Sequence, residues 1–109
     1  MLITTGNELP GFQITKVIGE VFGLTVRSRN VGSQLGAGLK ALVGGELRGM
    51  TTMLVQGRQQ AIDRLVDETQ AKGGNAVVAM RFDTSEFGGM GTEICAYGTA
   101  VVVRPTPPA

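Results

Sequence analysis

Cys95 is the only thiol in the chain, and it stands within residues 92–103, which read T-E-I-C-A-Y-G-T-A-V-V-V. A thiolate is both a nucleophile and a ligand for soft metal ions. One thiolate cannot fill a four-coordinate zinc site by itself. Symmetry would multiply it. Copies of the chain meeting near an axis could gather several Cys95 side chains, with Glu93, Tyr97 or Met80 nearby. The competing role is structural, because free cysteine is commonly a small buried apolar residue. The sequence contains no histidine. The usual general base near neutral pH is therefore missing, and neither a Cys–His nor a Ser–His–Asp arrangement can form within or between copies. No motif points to a reaction, so the chain is read as non-enzymatic.

The other candidates are weaker. Met50, Met53, Met80 and Met90 carry thioethers that can bind soft metals, but methionines at helical spacing more often fill cores. Asp83, Glu86 and Glu93 bracket a loop over residues 84–91, and only the hairpin register decides whether two of them meet. Gly36-Ala37-Gly38-Leu39-Lys40-Ala41 fits a relaxed dinucleotide fingerprint. It falls inside a helical pattern rather than on a strand-to-helix turn, so helix packing explains it better. Gly88-Gly89-Met90-Gly91 could form an anion-binding nest, but it joins two strands and reads as a hairpin loop.

The elements that must position these residues follow from periodicity. Residues 12–27 read as one long strand bent or bulged at Gly19 and Gly23, or split there into a hairpin-like pair. Asn30 is a good N-cap for a glycine-bearing helix over residues 31–43. Residues 46–72 form the strongest helix, with Leu47, Met50, Leu54, Gly57, Ala61 and Leu65 on one stripe and Arg64–Glu68 and Glu68–Lys72 as i,i+4 pairs. Gly73-Gly74-Asn75 stops it. Residues 76–83 are a short strand, and residues 92–103 are the last one.

On that last strand Ile94, Ala96, Gly98, Ala100 and Val102 share one face, and Cys95, Tyr97, Thr99, Val101 and Val103 share the other. Neither face is plainly a water face. The expectation is that Ile94, Ala96, Gly98 and Ala100 pack on the long helix, with Gly98 and Ala100 allowing its close approach. Tyr97, Thr99, Val101 and Val103 would then meet a neighbouring copy.

The 109 residues make one domain, taken as residues 1–104 with a proline-rich tail at 105–109. The formal net charge is +1, too small for a nucleic-acid footprint, and the basic residues are scattered. No apolar run is long enough to span a membrane, and the first residues lack the pattern of a secretory signal. With one cysteine, these features favour the cytoplasm.

Taken together, several segments resemble the YbjQ family, which is labelled as heavy-metal-binding. They are Thr4-Thr5, Ile18-Gly19-Glu20-Val21-Phe22-Gly23, Gly44-Gly45-Glu46, Gly73-Gly74-Asn75-Ala76-Val77-Val78, Arg81-Phe82-Asp83, and the run from Glu93 to Val101. The resemblance covers about residues 3–103. The elements read above make an α+β, two-layer β-α-α-β-β chain with helices on one face of a small, mainly antiparallel sheet, and the resemblance implies a dodecin-like β-α-β-β fold assembled as a ring-shaped homopentamer. It also implies a family without an assigned biochemical role, whose heavy-metal label makes Cys95 the candidate contact for a soft metal ion. The alternative is a ring that holds a small molecule or cofactor between subunits.

Overall fold

The computed structural model describes residues 1–28, 45–86 and 88–108. Its elements are β1 (Leu2–Ile3), β2 (Phe12–Ser28), α1 (Gly45–Ala71), β3 (Ala76–Glu86) and β4 (Gly91–Pro105). The four strands form one mixed sheet in the order β1-β3-β4-β2. The β2–β4 and β3–β4 pairs are antiparallel, and β1 lies parallel to β3. The helix expected over residues 31–43, its Asn30 cap and the Gly36–Ala41 fingerprint all lie outside the described residues.

β4 is the central strand and α1 crosses one face of the sheet. Val21, Ala61, Leu65, Val77, Met80, Ile94, Ala96 and Ala100 form the main core, so the small-residue face of β4 meets the helix as its alternation requires. The role expected of Gly98 falls to other glycines. A Cβ at Gly98 would come within 2.7 Å of Val77 and 3.0 Å of the Val78 carbonyl, so Gly98 makes room for β3 rather than for the helix. The helix approaches at Gly23, where a Cβ would overlap the backbone of Ala61 and Leu65.

Long β2 is bulged, with register shifts at Ile14/Lys16 and Val17/Gly19; Gly19 sits at the second, as expected, whereas Gly23 lies in continuous register and carries no bulge. Each bulge moves the alternation by one residue. The two shifts cancel beyond Gly19, so Phe22, Leu24 and Val26 share the face of Phe12 and Ile14 and remain exposed, while Val21, Gly23 and Thr25 turn toward α1. β3 has its own shift between Val78 and Arg81, and there Ala79 adopts a φ of 54°. Its N–H bonds to the Gly6 carbonyl, and the Met80 N–H bonds to the Thr4 carbonyl. The kink thereby fastens the N-terminal segment along β3.

An alanine in the left-handed region carries a cost of about 1–2 kcal/mol that glycine avoids. Ala79→Gly is therefore expected to raise stability by up to about 1 kcal/mol, less than that full relief because glycine also loosens the unfolded chain. Urea unfolding checks it.

A second, smaller cluster joins Ala76, Val78, Val101 and Val103 under Leu9 of the N-terminal segment. It covers one end of the sheet face opposite the helix. The rest of that face has no layer over it among the described residues.

Candidate functional site

The open face is built by strand register. Residues paired across antiparallel strands share a face, so Leu24, Cys95 and Asp83 form one row, and Phe22, Tyr97 and Arg81 form the next. Ser85 and Glu93 pair one step toward the hairpin, where the Ser85 hydroxyl donates to Glu93 at 3.4 Å. The register brings Asp83 and Glu93 onto the Cys95 face and sends Glu86, paired with Thr92, to the other side. Arg81 reaches back to donate to the carbonyls of Thr5 at 2.7 Å and Met80 at 2.9 Å.

The face is apolar along β2 and polar near the hairpin. Phe22 is 48% exposed, Val26 54%, Leu24 38% and Tyr97 39%. Of the four residues expected to meet a neighbour, Tyr97 lies open and Thr99 is half-buried, whereas Val101 and Val103 are buried within the chain. The reason is the N-terminal segment, which a strand-by-strand reading could not place over them. A charge at Val101 would disrupt this core as well as any interface. Phe22, Leu24 and Val26 take the place of Val101 and Val103 on the open surface.

Cys95 is half-buried on this face. Its surroundings hold the thiol protonated: partial burial pushes its pKa up, and Glu93, Asp83 and Glu20 push in the same direction. A thiol held this way is a poor nucleophile at neutral pH. A bound cation would reverse the balance, since the same carboxylates would then help to neutralise it. One chain does not make such a site, because no group of three or more Cys, Asp or Glu is placed to hold a metal among the described residues. Met80 cannot join Cys95. It packs in the helix-side core, across the sheet from the thiol.

Met50 and Met53 line a separate cleft of about 520 Å³ with Leu54, Arg58, Thr84 and Glu86. Met90 stands at the exposed hairpin turn. The thioethers do not converge. Gly88 and Gly89 both have positive φ, as the tight β3–β4 connection needs, and this fits the hairpin-loop reading of that segment.

The other edge of the site is a set of contacts that the sequence did not reveal. The Glu68 carboxylate accepts the Phe22 N–H at 3.1 Å, and Arg64 donates to the Leu24 carbonyl. Arg64 thus serves β2, while Glu68 keeps its expected helical partner Lys72 at 3.1 Å. The Phe22 N–H, followed by Lys72, lowers the Glu68 pKa, although partial burial opposes this. A group whose folded pKa is lowered stabilises the fold above its unfolded pKa and loses that effect as pH falls through the folded value. Wild type is therefore expected to lose its thermal-stability advantage over Glu68→Gln on acidification through and below the ordinary carboxylate range, which a melting series at several pH values checks.

A family model described as "Putative heavy-metal-binding" matches residues 1–104. A UPF0145 protein of Acidothermus cellulolyticus is 66% identical over 103 residues, covering 94% of this chain and 95% of that protein. The chain belongs to the UPF0145 (YbjQ) family. A UPF0145 protein of Streptomyces coelicolor is 63% identical over 103 residues, covering 94% of this chain and 97% of its own length. A crystal structure from Pediococcus pentosaceus, of a protein of unknown function in the DUF74 family, superposes with a TM-score of 0.65 at 16% identity. It covers 95% of this chain and 98% of that one, a likeness that speaks to fold alone. The UPF0145 relatives' names state no activity. No helix among the described residues is long and apolar enough to cross a membrane.

Proposed function

We propose that this UPF0145 chain is a non-enzymatic building block of a homo-oligomer, a pentameric ring, in which the open sheet face is the contact surface. The observation that carries this reading is the exposed apolar row Phe22, Leu24, Val26 and Tyr97, on a face that no described element of the chain covers. Sedimentation of Tyr97→Asp beside wild type tests the reading.

A second reading rests on the same face. Cys95 has Asp83 opposite it and Glu93 two residues away, so a second copy laid over this face would add donors to an incomplete set. The chain would then hold a soft metal ion between subunits, in keeping with the family description. Measuring bound metal in the purified protein checks it. Stoichiometric metal that disappears in Cys95→Ser supports this reading; a metal-free wild type counts against it.

A further inference from the structure

β2 is an outer strand of the sheet, and over residues 20–28 it runs in unbroken register with β4. Strands of this kind invite pairing with another chain, and proteins usually protect them with bulges, prolines or lysines. Both bulges and Lys16 lie in the first half of β2. The second half reads E-V-F-G-L-T-V-R-S, with no proline and no lysine. Its protection comes from elsewhere.

In an antiparallel pair, alternate residues turn both backbone groups away from the partner strand. The Phe22 N–H points away from β4, since it bonds to Glu68 of α1, and the Leu24 carbonyl two residues later bonds to Arg64. Lys72 holds Glu68 from the next helical turn, at 3.1 Å. A donor and an acceptor that a foreign strand would use are thus occupied by helix side chains. Gly23 sets the distance, because its missing Cβ lets α1 lie close enough for both side chains to reach over the edge.

We infer that Arg64 and Glu68 act as an edge guard, closing the second half of β2 against strand addition by a second copy of the chain. The guard is independent of the contact surface proposed above, since that surface is a sheet face and this is a backbone edge. It directs association away from open-ended strand pairing. The groups around it are charged. Lys72 and Arg64 flank Glu68 on its own helix, and Glu20 lies two residues before Phe22 on β2. Protonating Glu68 removes the charge that holds Lys72 and weakens the acceptor for Phe22, so acid should loosen the guard.

Amide exchange at Phe22 and sedimentation test this together, on wild type, Glu68→Ala, Arg64→Ala/Glu68→Ala and Glu68→Gln. Arg64 is exposed and Glu68 only half-buried, so the variants should fold, and circular dichroism confirms it. The Phe22 amide is expected to exchange about ten-fold faster in Glu68→Ala, the scale of losing one charge-assisted bond. The double variant should add species heavier than the wild-type assembly, growing with concentration. Glu68→Gln, which keeps an acceptor but loses the charge, should fall between wild type and Glu68→Ala. Unchanged Phe22 exchange in the alanine variants, or a double variant with wild-type mass at every concentration, would overturn the guard. In wild type alone, Phe22 should exchange more slowly than Val26, which shares its strand parity beyond the guard; equal rates would also overturn it. The mass of wild type itself reports on the oligomer reading, so the two can fail separately.

Discussion

Gly23→Ala is expected to destabilise the protein by about 3 kcal/mol, the upper part of the usual range for overpacking, and to show it as a lower urea midpoint. The site cannot yield cheaply. The added Cβ would meet backbone atoms of Ala61 and Leu65, not the end of a flexible side chain, so α1 must move away from the sheet. That movement would open the core around Val21, Leu65 and Ile94. It would also withdraw Arg64 and Glu68 from the β2 edge. A typical domain is stable by only about 5–15 kcal/mol, so this one methyl group would remove a substantial part. Gly49→Ala is the control, because nothing lies within 4 Å of its added Cβ. In a helix that change should be neutral or stabilising, by up to about 1 kcal/mol. A Gly23→Ala protein as stable as Gly49→Ala would show that the helix does not rest on this glycine.

Much of this architecture is legible from the sequence. The long helix, its glycine stop, the two C-terminal strands and the helix-facing residues Ile94, Ala96 and Ala100 follow from period and punctuation. What escapes has physical causes. β1 is two residues long, too short to carry a period, yet it anchors the segment that buries Val101 and Val103. The two β2 bulges cancel, so Phe22, Leu24 and Val26 keep the face of Phe12 and Ile14, and only the pairing with β4 shows that this face lies away from the helix. The acids around Cys95 depend on hairpin register, which the tight turn sets and side-chain types do not. The Arg64 and Glu68 contacts join positions 40 and 46 residues apart, and the helical spacing alone pairs those side chains with each other.

Tyr97→Asp is expected to convert the assembly into single chains. Tyr97 is 39% exposed on the open face, beside Phe22, so a carboxylate there can stay hydrated in the isolated chain. Covered by a neighbour, it would be a desolvated charge, and its cross-strand neighbour Arg81 already donates to the Thr5 and Met80 carbonyls. Burying it would cost several kcal/mol at each contact, enough to outweigh an interface whose central residues contribute about 2 kcal/mol apiece. Phe22→Asp should behave the same way. Thr52→Asp, an exposed helix position, should leave the mass unchanged. Circular dichroism should match wild type in all three, which separates dissociation from unfolding.

The most direct test of the central claim is the native mass of the wild-type protein, recorded before dialysis. A discrete assembly of five chains, each of 11.4 kDa, is expected. A single-chain mass across the accessible concentration range would contradict it.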